Sequence, residues 1–176
     1  MMKKFIKLFS LIICFIYPLQ SIAYTDYVLD TGDEIRIVVY DEPDLTVRLF
    51  ISDDGYINFP FIGNVFVTGK TTVEVQNIIH NGLKGDYLVN PSVQVDVVTY
   101  RPFFIHGEVK KPGAYPYKPG LTINQAVVLG GGFTERASAS KIYIKTGKDS
   151  GSSRTNVLLS YSVSPGDTII VEQSFF

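Results

Sequence analysis

Two groups of carboxylates stand close enough in sequence to suggest acid–base chemistry: Asp53 with Asp54, and Asp41, Glu42 and Asp44. Paired carboxylates are the working groups of glycoside hydrolysis. Each group also adjoins a turn former, Gly55 or Pro43, where carboxylates bond the local backbone, so a turn role is expected. His80 falls away from the apolar stripe of a helical pattern and is expected on a solvated surface. His106 alternates within an apolar strand pattern and is expected to be a hydrogen-bonded structural group. A nucleophilic site needs a serine or cysteine beside a histidine and an orienting acid. No Gly-x-Ser-x-Gly elbow occurs, and the one cysteine, Cys14, lies near the N-terminus. One cysteine and two histidines exclude a multi-cysteine zinc site and leave little for metal chemistry. Gly130-Gly131-Gly132 follows an apolar helical pattern instead of opening one, which reads as a helix end and not a phosphate cradle. Arg101, Lys110 and Lys111 with Tyr100, Phe103, Phe104, Tyr115 and Tyr117 could form a sugar-stacking surface; ordinary strand packing is the competing role. No catalytic residue, metal site or cofactor is expected.

The elements that position these residues can be read from periodicity. Asp33–Tyr40 is a β-branched strand launched by Gly32. Leu45–Ile51 is a second strand, with Thr46, Arg48 and Phe50 alternating against Val47, Leu49 and Ile51. Asp53-Asp54-Gly55 signals a hairpin, and Tyr56–Phe61 is its returning strand, with Pro60 near its end. Thr71-x-x-Glu74 is a capping box, after which Val75, Ile78, Ile79 and Leu83 make an apolar helical stripe ending near Gly85. Pro91–Tyr100 is a strand with Val93, Val95 and Val97 on one face.

Phe103–Val109 is a strand kinked or bulged at Gly107. Lys111-Pro112-Gly113 turns into a short return strand, Ala114–Tyr117. Thr122-x-x-Gln125 caps a second helix carrying Ile123, Ala126, Val127 and Leu129. Lys141–Lys145 is a strand, Thr146–Thr155 an exposed loop, Pro165-Gly166-Asp167 a turn, and Thr168–Val171 the last strand. Asp30–Ile35 and Ser164–Ile169 echo each other: a Gly-Asp turn launches a β-branched strand in both. So common a device is expected to arise from convergent turn chemistry.

The chain has 176 residues, 45% of them apolar and 19% charged, a globular composition of one domain or two small ones. A net charge of −1 argues against a nucleic-acid binder. Lys3, Lys4 and Lys7 precede an apolar run, Phe5–Tyr17, then Pro18 and the small residues Ser21 and Ala23. This order is that of a secretory signal peptide over residues 1–23, cleaved between Ala23 and Tyr24. The run falls short of the roughly 20 residues a membrane span needs; an uncleaved anchor is the alternative. Leu11-Ile12-Ile13-Cys14 superficially resembles a lipid-attachment site. Ile13 is bulky, however, and Cys14 sits inside the apolar run, so cleavage after Ala23 is expected in preference to lipidation of Cys14. Loss of the three lysines leaves 13 basic residues against 17 acidic ones, a net −4.

The ordered set of motifs resembles the bacterial polysaccharide export proteins. The resemblance begins with Tyr27–Tyr40 and continues through Asp54-Gly55-Tyr56-Ile57-Asn58-Phe59-Pro60-Phe61-Ile62-Gly63, Gly69–Glu74 and Leu88–Val93. From Phe103 the chain is similar to a soluble-ligand-binding β-grasp domain, through Ile105–Tyr115, Leu121–Ala126, Gly130–Thr134 and Val163–Val171. The matching structural positions are Gly32, Asp33, Asp54, Gly55, Pro60, Gly63, Pro91, Gly107, Pro112, Gly113, Gly131, Gly132, Pro165, Gly166 and Asp167.

The resemblance implies an α+β protein: a small mixed-sheet α/β export domain over 24–100 and a β-grasp-like domain over 101–176. It implies a non-enzymatic component that moves capsular polysaccharide or exopolysaccharide through the periplasm and across the outer membrane. The implied partners are the polysaccharide polymer, an inner-membrane polysaccharide co-polymerase and further copies of the chain in a ring. No nucleic acid is implied. Larger members carry a C-terminal amphipathic helix that this sequence lacks, which adds the expectation of a separate outer-membrane protein. A periplasmic β-grasp module that binds a glycan or small ligand without a channel role is the alternative. A carbohydrate-active enzyme using an acidic pair is a third.

Overall fold

The computed structural model describes residues 27–147 and 154–174. The leader over 1–23, the Ala23–Tyr24 cleavage point, Cys14, residues 148–153 of the expected loop and the last two residues lie outside the described residues.

Strand β1 (Glu34–Val39) is the middle of a three-stranded sheet because Ile35, Ile37 and Val39 all point into the core. It pairs antiparallel with β2 (Val47–Phe50) on one side and with β5 (Val93–Thr99) on the other. Strands β3 (Tyr56–Phe59) and β4 (Gly63–Phe66) form a separate antiparallel hairpin. Helix α1 (Thr72–Leu83) closes this core with Val75, Ile79 and Leu83, one apolar stripe at helical spacing. Its capping box forms: the Glu74 N–H donates to Thr71 Oγ1 at 3.2 Å, and the Thr71 N–H donates to Glu74 Oε2 at 2.7 Å.

A second core lies beyond Arg101. Strands β6 (Phe103–Gly107), β7 (Gly113–Tyr115), β8 (Ala137–Lys145), β9 (Thr155–Asn156) and β10 (Thr168–Gln173) make one sheet in the order β7-β6-β10-β8-β9. The β6–β10 pair is parallel and the others antiparallel. Helix α2 (Ile123–Leu129), capped by Thr122 and Gln125, buries Ile123, Ala126 and Val127 in this core. Two helices with mixed sheets among the described residues make the α+β class expected, the second unit being β-grasp-like.

Several expectations are corrected. The Ser52–Tyr56 turn forms, but Leu45–Ile51 and Tyr56–Phe61 are not partners. The N–H of Ile51 donates to the Asp33 carbonyl, while the Gly55 carbonyl accepts from Val67, so the chain leaves one sheet there and enters another. Tyr56–Phe61 stops at Phe59, and Phe61 turns the hairpin at φ 64°. The second strand starts at Val47 because Pro43–Leu45 winds a 3-10 turn. Strand β8 begins four residues earlier than Lys141, since Ala137 pairs with Gln173 across a register shift. His80 is half-buried, its Nδ1 2.7 Å from the Pro91 carbonyl, instead of solvated. His106 is exposed, because the outward face of β6 is its place in the alternation. Leu129 is 49% exposed, on the outer side of α2.

Candidate functional site

Strand β5 ends at Thr99 and β6 starts at Phe103, so Tyr100, Arg101 and Pro102 alone join the two cores. The Arg101 side chain is 15% exposed. Its guanidinium donates to Asp33 Oδ2 at 3.0 Å and to the Tyr27 hydroxyl at 2.8 Å, and pairs with Asp30 Oδ2 at 3.4 Å. Its backbone N–H donates to Asp33 Oδ1 at 2.9 Å.

Asp33 is fully buried, and it is saturated. Beyond Arg101, its Oδ2 accepts from the Tyr27 hydroxyl at 2.6 Å and from the Asp30 N–H at 2.9 Å. A buried carboxylate is tolerable only with such partners. Burial, then the bond and charge of Asp33, push the Tyr27 phenol well above its ordinary value, so it stays protonated and donates.

The second Gly-Asp turn reaches the same arginine from the other side. Gly166 sits at φ +84°, and a Cβ there would lie 2.9 Å from Arg101 Nε. Asp167 is 3% exposed, and its Oδ2 accepts the Ser164 N–H at 2.7 Å. Among the described residues no full hydrogen bond reaches its Oδ1. Burial pushes its carboxyl up, opposed by the Ser164 and Gly147 amides and by the charge of Arg101.

A cleft of about 450 Å³ opens beside these groups. Tyr27, Arg101, Tyr117, Ser162, Ser164 and Asp167 are among its walls, so both cores and the joint contribute. Tyr100 packs edge-on against Tyr27 at 4.9 Å and against Tyr117 at 5.4 Å, bridging the cores.

The remaining sequence candidates are scattered. Asp54 is exposed and tied to the Ser52 hydroxyl at 2.6 Å and the Tyr56 N–H at 3.2 Å, which hold its carboxyl below the ordinary value. A carboxyl so held is a turn brace and a poor general acid. Asp53, Asp41 and Asp44 are exposed. Pro60 and Gly63 flank the β3–β4 turn, and Pro91 is buried beside His80. Pro112 ends the β6–β7 connection, Gly113 opens β7 opposite Ile105, and Gly131 and Gly132 follow α2. Of the proposed aromatic surface, Phe103 is buried and stacks on Tyr115 at 5.9 Å, whereas Phe104 is 44% exposed. Of the sequence candidates, Gly32, Asp33, Pro165, Gly166 and Asp167 gather at the joint with Arg101, Tyr100 and Tyr117. Tyr27 and Asp30, part of the same cluster, were not singled out by chemistry; their distance in sequence from Arg101 hides the contact. Among the described residues no group of three metal-ligating side chains occurs, and no helix is long and apolar enough to cross a membrane.

Residues 22–98 match the model of the polysaccharide biosynthesis/export proteins. Residues 102–156 match the model of the SLBB domain. The exopolysaccharide production protein ExoF of Rhizobium meliloti is 43% identical over 86 residues, 47% of this chain and 20% of that protein. The EPS I polysaccharide export outer membrane protein EpsA of Ralstonia nicotianae is 28% identical over 183 positions, 85% of this chain and 48% of that protein. The polysialic acid transport protein KpsD of Escherichia coli is 28% identical over 128 positions, 69% of this chain and 22% of that protein. The matches thus span from a fifth to about half of these relatives' lengths.

Proposed function

From its membership of the polysaccharide biosynthesis/export proteins, with an SLBB domain following the export domain, we propose that this chain is a non-enzymatic component of capsular polysaccharide or exopolysaccharide export. It acts in the periplasm, in association with the outer membrane, as a ring of copies around the polymer. An inner-membrane polysaccharide co-polymerase and a separate outer-membrane protein complete the path. The chain divides into a leader over 1–23, an export unit over 24–100 and a β-grasp unit over 101–176, with the Gly, Pro and Asp motif residues serving structure.

The observation that carries this reading is the order of the two matches, export model then SLBB model, falling on the two cores either side of Arg101. Deletion of the gene in its host is expected to trap polymer inside the cell, with export restored by the wild-type chain. Purified protein is expected to form rings by electron microscopy. Normal export in the deletion strain overturns the proposal.

The cleft beside Arg101 favours a second reading, a glycan-binding module without a channel role. It predicts saccharide binding by a strictly monomeric protein.

A further inference from the structure

The outer face of the β3–β4 hairpin carries side chains that the core does not use. Alternation turns Ile57, Phe59 and Val65 inward and leaves Tyr56, Asn58, Asn64 and Phe66 exposed. The register sets these four in two cross-strand rows. Tyr56 stands opposite Phe66, their rings edge-on at 5.1 Å. Asn58 stands opposite Asn64, and its Nδ2 donates to Asn64 Oδ1 at 3.3 Å. Among the described residues neither side chain makes another hydrogen bond, so the Asn64 amino group and the Asn58 carbonyl oxygen are open to a ligand. The Phe66 ring lies across Gly55, where a Cβ would come within 2.7 Å of it. At the hairpin tip, exposed Phe61 packs on Tyr87 at 4.9 Å. From Gly55 to Gly69 the sequence has no charged residue.

We propose that this face is a contact site for the exported polysaccharide: a pyranose ring stacks on Tyr56 and Phe66, and hydroxyls of the adjoining unit bond the Asn58–Asn64 amides. The inference rests on the export reading, of which it names a point of polymer contact. A pyranose ring has an apolar C–H face and a rim of hydroxyls. Aromatic rings receive the first, and side-chain amides, which both donate and accept, receive the second. The two rows stand about 7 Å apart along the strands, on the order of one sugar unit. The uncharged face also matches the uncharged hydroxyls of such a chain. Other occupants fit less well. Tyr56, Phe66, Phe61 and Tyr87, each roughly half exposed, present about 400 Å² of aromatic surface. That is half of the ~800 Å² per partner that a stable contact between copies takes. A lipid surface would draw two amides out of water with one hydrogen bond between them, which is costly.

The test is affinity electrophoresis of the purified protein through native gels holding polysaccharide purified from the host's own capsule or culture medium. Retardation of the wild type is expected. Tyr56→Ser, and the double variant Asn58→Leu with Asn64→Leu, are expected to weaken it at least fivefold with thermal unfolding unchanged. Tyr56→Phe, which keeps the ring, is expected to retain it; should the leucine variant not fold, the two Tyr56 variants decide. No retardation of the wild type, or retardation kept by folded Tyr56→Ser, overturns the inference. Loss of self-association in Tyr56→Ser, by light scattering, assigns the face to a second copy and overturns it. So does flotation with phosphatidylethanolamine–phosphatidylglycerol vesicles that Tyr56→Ser loses and the leucine variant keeps. Export in the deletion strain separates the two levels. If wild type restores export, absent retardation removes the contact site and leaves the export reading standing; if the deletion strain exports normally, the export reading falls, whatever the gels show.

Discussion

Asp33 and Asp167 hold the same position in two turns of the same build, one on either side of Arg101. In each, Oδ2 accepts the N–H three residues back, from Asp30 at 2.9 Å and from Ser164 at 2.7 Å. In each, the backbone two residues past the end of the adjacent antiparallel strand brings an N–H to the carboxyl group. For Asp33 that residue is Arg101, whose N–H bonds it at 2.9 Å. For Asp167 it is Gly147, whose amide lowers the carboxyl, while among the described residues Oδ1 has no full hydrogen bond. The echo in sequence is thus a shared device for sealing a turn onto a strand end, complete in one copy and open in the other.

Arg101→Ala removes one of the four donors to buried Asp33 and its cationic partner, and breaking a buried pair costs about 3–5 kcal/mol. A loss of about 3 kcal/mol is expected in urea unfolding. Arg101→Lys recovers only part of it, since one ammonium cannot serve Asp33, Asp30 and Tyr27 together. A change below ~1 kcal/mol, the scale of an exposed pair, would contradict this account.

The raised carboxyl of Asp167 gives a pH signature. Its folded value lies above the unfolded one, so its contribution to stability is full below the unfolded value. That contribution is lost as pH rises through the folded value. Asp167→Asn removes this dependence. Relative to wild type, the variant is expected to gain stability from about pH 4 upward, on the ordinary aspartate scale. Parallel melting curves across pH for the two proteins contradict it.

Asp54, Glu74 and Asp96 carry the opposite sign. Ser52 and Tyr56, Thr71, and Arg36 respectively hold them below their ordinary values. Their contributions are present above the unfolded carboxylate values and lost as pH falls through the folded ones. Acid melting of the wild type is expected to flatten in the triple amide variant.

Gly107 sits at φ +92°, and a Cβ there would overlap the Val171 carbonyl of the parallel partner strand. Gly107→Ala is expected to cost at least ~2 kcal/mol, combining backbone strain with collision. Gly63 has φ +78° but open space around it, so Gly63→Ala is expected to cost only about 1 kcal/mol. Equal losses in thermal unfolding would contradict the distinction.

Thr71→Ala and Thr122→Ala each remove an N-cap acceptor, worth about 1 kcal/mol. The seven-residue α2 has less helix to share the loss. Hydrogen exchange is expected to accelerate most in Ile123–Leu129 of the second variant.

Both capping boxes, the alternation of β1, β2 and β5, and the positions of the turns were legible because each depends on neighbours within a few residues. Strand β4 was not: Gly63 and Asn64 are poor strand formers, and only pairing with Phe59 and Asn58 makes them one. Ala137–Ser140 was missed for the same reason. The joint was legible as two Gly-Asp turns but not as one cluster. Arg101 lies 68 residues from Asp33 and is brought to it by the β1–β5 pairing, which no local pattern announces.

Three residues carry the chain from one sheet to the other, and the middle one is bolted to Asp33 by both backbone and side chain. Its partners Asp30, Asp33 and Tyr27 all belong to the first unit, so this network fixes the point at which the first sheet ends. The second sheet starts from that fixed point, since the Pro102 carbonyl, next in the chain, accepts the Gly166 N–H at 3.1 Å.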